Sequence, residues 1–118
     1  MANHPNNMVQ ATSVIGVDVQ SPTKEDLGKI EDIMIDKLSG EVHYAVLSFG
    51  GILGIGDKLF ALPWRALHYS VENKCFTLKT AKEKLKNAPG FNKDSWPDMA
   101  DPQWQSDIRT FYNDTSVL

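Results

Sequence analysis

A single cysteine, Cys75, excludes any internal disulfide and any metal site built from several thiolates, and fits a reducing cytoplasm. Cys75 itself is expected to be a small buried strand residue. No apolar run approaches the roughly 20 residues that span a bilayer. The polar, Asn-rich start from Met1 to Gln10 has neither the basic n-region nor the apolar h-region of a signal peptide. These absences lead to the expectation of a soluble, cytoplasmic protein. Positive charge is also in deficit, with 12 Lys and Arg against 15 Asp and Glu, a net charge of -3 and a pI near 5.5. The whole-chain field therefore disfavours phosphate backbones, and nucleic acid is not an expected partner. What is present, 42% hydrophobic and 23% charged residues in 118, suits one globular domain with one core.

Short β-branched runs separated by turn chemistry dominate the first two thirds of the chain. Ser13 to Val19 predicts a strand, and Gln20-Ser21-Pro22-Thr23 a turn in which proline sets φ. A second strand runs from Gly28 to Asp36, where alternation breaks at Glu31-Asp32 and implies a bulge. Lys37-Leu38-Ser39-Gly40 predicts a hairpin loop with Gly40 at positive φ. Val42 to Phe49 carries bulky residues on both alternating faces, which implies a central strand covered on both sides. Further strands are expected at Lys58–Leu62, Leu67–Val71 and Cys75–Leu78, with a single helical turn at Pro63-Trp64-Arg65-Ala66. Six short, closely spaced strands predict a mainly β fold, a small antiparallel barrel.

After Thr80 the period changes. Ala81 to Ala88 predicts a short helix stopped by Pro89-Gly90, and Asp101-Pro102 supplies an N-cap and a first-position proline for a second one. Trp104, Ile108, Phe111 and Tyr112 then form an apolar stripe that must bury against the barrel or a partner. The expected organisation is a disordered segment 1–12, a barrel 13–80 and a helical extension 81–118 packed on the barrel or on a dimer partner.

Taken together, Val14-Ile15-Gly16-Val17-Asp18-Val19, Leu27-Gly28-Lys29-Ile30-Glu31-Asp32-Ile33, Asp36 with Ser39-Gly40, Ser48-Phe49-Gly50-Gly51, Gly54-Ile55-Gly56-Asp57-Lys58 and Leu62-Pro63-Trp64-Arg65-Ala66-Leu67 resemble the PRC-barrel family. The family is named for the cytoplasmic domain of the photosynthetic reaction-centre H subunit. The tail, with Ser95-Trp96-Pro97-Asp98-Met99-Ala100-Asp101 and Trp104, resembles the extension of stand-alone bacterial members. The resemblance implies a β-barrel adaptor, since the reaction-centre domain and the C-terminal domain of a ribosome-maturation factor both act through protein contacts. It implies no catalytic residue and no cofactor.

Motifs for chemistry fail on spacing. Gly50, Gly51, Gly54 and Gly56 do not make a P-loop, because Asp57 separates Gly56 from Lys58, Leu59 follows, and the next element is a strand. These glycines, with Gly28 and Gly40, are expected to serve turns, at least one of the loop glycines at positive φ. Asp18, Glu25, Asp26, Glu31, Asp32 and Asp36 lack calcium-loop spacing and suit a solvated acidic face. His4, His43 and His68 are too scattered to share a metal. A nucleophile built from Cys75 and His43 or His68 lacks an orienting third residue and an oxyanion site. No metal or cofactor site is assigned. The functional expectation is a non-catalytic protein-binding adaptor acting as a homodimer. Its interaction surface would be Ile52, Leu53, Ile55, Trp104, Ile108, Phe111 and Tyr112, and its protein partner is not specified. The alternative is a regulator that meets an anionic ligand or membrane surface through a basic patch of Lys79, Lys82, Lys84 and Lys86.

Overall fold

The computed structural model describes residues 8–49 and 58–116, with side chains described to residue 113. The chain is mainly β. A helical turn α1 (Ala11–Val14) precedes seven strands: β1 (Asp18–Gln20), β2 (Asp26–Ile35), β3 (Val42–Phe49), β4 (Lys58–Pro63), β5 (Leu67–Ser70), β6 (Cys75–Leu78) and β7 (Phe91–Asn92). A 3-10 turn (Trp64–Ala66) links β4 to β5, a one-turn helix α2 (Lys82–Leu85) follows β6, and α3 (Pro102–Ser116) ends the chain. The sheet order is β5-β6-β1-β2-β3-β4-β7. Among the described residues no pairing joins β5 to β7. No helix among them is long and apolar enough to cross a membrane.

Several local expectations hold. The register of β2 against β3 shifts between Ile30 and Asp32, which places the bulge at Glu31. Gly40 has φ 81 and donates its N–H to the Asp36 carbonyl at 2.7 Å, closing the β2–β3 hairpin. Ala45, Val46 and Leu47 are all fully buried, so β3 is covered on both faces as its pattern required. Cys75 is buried in β6. Asp101 accepts the Gln103 N–H at 3.3 Å at the start of α3.

Among the described residues seven strands form where about six were expected, the additional one being β7, which pairs with Lys58 and Leu59. Other local expectations are corrected. One pairing is parallel: Val19 and Gln20 of β1 lie against Phe76 and Thr77 of β6. Ser13–Val19 is not one strand. The chain coils through α1 and a turn in which Val17 donates to the Val14 carbonyl, Gly16 donates to that of Ile30, and Ile30 donates back to Val17. The local bonds of Ser13 to Gln10, Ile15 to Ala11 and Val17 to Val14 hold the first part of this run out of the ladder, which it joins only from Val17, opposite Ile30. The helix expected over Ala81–Ala88 spans only Lys82–Leu85, and beyond it Asn87 and Ala88 close tighter turns onto the Lys84 and Leu85 carbonyls at 3.0 and 2.9 Å.

The core unites Val19, Leu27, Ile30, Leu47, Phe60 and Leu62 of the strands with Leu85, Ile108 and Tyr112 of the helical extension. Ile108 and Tyr112 are each 1% exposed, and burial pushes the Tyr112 phenol far above its ordinary range, so it stays neutral.

The Asp36 carboxylate accepts N–H groups from Leu38 at 2.9 Å and Ser39 at 3.3 Å, and these hydrogen bonds hold its pKa below the ordinary value. A group whose folded pKa is depressed stabilises the fold above its unfolded pKa, and that contribution is lost as pH falls through the folded value. Asp36→Asn keeps the turn geometry and removes the charge. Urea midpoints of the native chain and this variant should therefore differ at neutral pH and converge in acid; a constant difference across the titration would refute the assignment.

Candidate functional site

At the start of β3 the sheet leaves a groove of about 620 Å³, walled by Glu41, His43 and Tyr44 on one side and by Trp64 and Arg65 on the other, with Arg109 and Asn113 of α3 across its end. The elements place these side chains for identifiable reasons. Tyr44 pairs with Pro63 in the β3–β4 register, so the 3-10 turn that follows brings Trp64 and Arg65 beside the β3 strand. α3 is anchored by Ile108 and Tyr112 in the core, which leaves Arg109 exposed at the rim. Trp104 meets Tyr44 edge-on at 5.2 Å between ring centroids. On the other side Trp64 contacts Phe76 at 5.8 Å, and Phe76 contacts Tyr69 at 5.2 Å. An aromatic belt therefore approaches the groove from both flanks.

The electrostatics favour a ligand with negative charge. Among the described residues neither Arg65 nor Arg109 has an ion pair, and the only acid on the wall, Glu41, faces His43 at 3.7 Å. Partial burial raises the Tyr44 phenol pKa, and Arg109 pulls it the other way. Among the described residues the groove walls hold no Ser, Thr, Cys or Lys, and the hydroxyl beside His43 is the Tyr44 phenol. Among the described residues no three His, Cys, Asp or Glu side chains are grouped to hold a metal. The acidic residues from Asp18 to Asp36 are exposed, with Asp18 accepting a hydrogen bond from Lys29 at 2.6 Å.

Of the residues expected to form an interaction surface, the structure describes four, all on α3. Ile108 and Tyr112 lie in the chain's own core, and Trp104 and Phe111 are half-buried against it. Ile52, Leu53 and Ile55, and with them Gly50, Gly51, Gly54 and Gly56, lie outside the described residues, as does His4. Trp96, expected to be packed, is 41% exposed, although its ring contacts Phe91 at 5.2 Å. His68 and His43 are exposed strand residues. In the basic patch Lys86 is paired with Glu83 at 3.2 Å, Lys84 sits 6.0 Å from the Phe111 ring centre, Lys82 is half-buried and Lys79 is exposed. That patch is a partly neutralised helix flank, whereas the two arginines of the groove have no ion pair among the described residues. Sequence reasoning did not single out Arg65 and Arg109. Tyr44 and Trp64 had been read only as strand and turn residues.

The model of the PRC-barrel domain family matches residues 6–85, more than half of the chain. No curated protein matches the chain. The matched part supplies Tyr44, Trp64 and Arg65, and the extension beyond it supplies Arg109 and Asn113.

Proposed function

Because the chain belongs to the PRC-barrel family, we propose that it is a non-catalytic protein-binding module, working as a homodimer, that holds an acidic, aromatic segment of a partner protein in the groove between β3, the 3-10 turn and α3. The observation that carries this reading is the pairing of half-buried aromatic walls, Tyr44 and Trp64, with two guanidinium groups that have no carboxylate partner among the described residues. Arginine and aromatic side chains are the groups that dominate protein-binding surfaces, the first through charge-assisted hydrogen bonds and the second through apolar area. A groove built mostly by the family domain and completed by Arg109 and Asn113 of the extension also gives the extension a role in choosing the partner.

Titration with a short synthetic peptide carrying acidic residues around an aromatic one, followed by heteronuclear NMR, tests the reading. Saturable shifts centred on Tyr44, Trp64 and Arg109 are expected, and Arg65→Gln with Arg109→Gln should weaken binding at least about tenfold, two charge-assisted contacts being lost. Shifts centred on Lys79, Lys82 and Lys86 instead, or equal binding of a lysine-substituted peptide, would overturn it.

A further inference from the structure

We infer that the segment Asp94–Asp101 of a second copy of this chain occupies the groove, so that two copies exchange these segments about a twofold axis. The inference rests on the reading of the groove as a protein-binding site and names its occupant.

The chemistry of the segment matches that of the groove. It carries Asp94, Asp98 and Asp101 with no basic residue between them, and Trp96 stands 41% exposed at its centre. It is also held in shape before any partner arrives. The Trp96 indole donates to the Lys93 carbonyl at 2.9 Å, Ser95 N–H donates to the Asn92 carbonyl at 2.9 Å, and the Asp98 carboxylate accepts the Ala100 N–H at 3.0 Å. A preordered segment loses little freedom on docking.

Placement supplies the symmetry. Met99 and Ala100 wall a second depression, about 290 Å³, that shares His43 and Tyr44 with the groove, so segment and groove lie on one face. The segment immediately precedes α3, Arg109 stands at the midpoint of that helix and Asn113 one turn further on. A twofold axis passing between segment and groove on this face sets each segment into the other copy's groove, which is how a self-complementary interface closes at two subunits. With a net charge of -3 per chain, long-range repulsion opposes pairing, so the attraction must come from these local charges and should weaken with salt.

Sedimentation equilibrium with reciprocal charge reversal tests this. The native chain should be a dimer that weakens as salt rises. Arg65→Glu with Arg109→Glu should be monomeric, because acidic groove meets acidic segment, and so should Asp94→Lys with Asp98→Lys, because basic meets basic. Mixed in equal amounts, the two variants should form a one-to-one heterodimer in which both contacts are attractive again. Recovery of the dimer also proves that each variant is folded. A native chain that is monomeric throughout, or a dimer that neither pair of reversals alters, would overturn the inference. If peptide binding in the groove persists in either case, only the second copy is removed as occupant. If peptide binding is absent as well, the groove reading falls with it.

Discussion

A chain ending at Asn87 is expected to lose its cooperative unfolding transition. The truncation removes Ile108 and Tyr112, each 1% exposed, from contact with a core that includes Phe60 and Leu62, together with Ala88 and the β7 pairing that covers part of the β4 edge. Emptying a buried aliphatic position costs about 2–5 kcal/mol and a large aromatic one about 3–5 kcal/mol. Two such losses approach the whole stability of an ordinary domain, about 5–15 kcal/mol. They also leave an apolar face in water without a partner. Urea titration followed by far-ultraviolet circular dichroism should show a shallow or absent transition for the truncated chain. A sharp transition at the native midpoint would mean that the helix merely rests on the sheet.

The second large effect is expected at Gly28. Its φ is 130, and a Cβ built there would overlap the carbonyl group of Ser48 and crowd the backbone of Phe49. Both obstacles are main chain of the central strand β3, so no side-chain rotation relieves them. Gly28→Ala should therefore cost about 3 kcal/mol or more, the scale of an overpacked site added to an unfavourable backbone region. Gly40→Ala is the internal control. Gly40 also has positive φ, at 81, but nothing lies within 4 Å of the added carbon, and about 1 kcal/mol is expected from backbone strain alone. Thermal melts of the two variants should show a drop for Gly28→Ala about threefold that for Gly40→Ala. Equal drops would mean that strand β3 shifts aside without cost.

The sequence made the strands and turns legible wherever one local signal decided the outcome. Broken alternation marked the bulge at Glu31, glycine marked the hairpin at Gly40, and Asp101-Pro102 with the stripe Trp104, Ile108, Phe111 and Tyr112 marked α3 and its buried side. The stripe alone left open whether that side faces the same chain or another, because periodicity fixes a face and not what covers it. The run Ser13–Val19 misled because β-branched residues express a preference that the local turn bonds of Ile15 to Ala11 and Val17 to Val14 override. The parallel contact of β1 with β6 had no local trace, since register across a sheet depends on partners far along the chain. For the same reason the groove was invisible: Tyr44, Trp64 and Arg109 come from three elements, and each has an ordinary role in its own. The lysine cluster drew attention by proximity in sequence, whereas two isolated arginines converge only in the folded chain.

The parallel seam between β1 and β6 has a consequence for how the molecule comes into being on the ribosome. Strands β1, β2 and β3 each pair with the next one made, and β5 pairs with β6 directly, so these contacts form as the chain emerges. The other edge of β1 is different: Val19 must wait for Phe76 before that edge is covered. Throughout that interval the nascent chain carries a bare strand edge, the feature by which unfinished chains recruit one another into aggregates. Brevity limits the hazard. β1 has three residues, entered from the turn around Gly16 and ended by the turn at Ser21-Pro22, so a stray strand finds few amides and carbonyls in a row to grip.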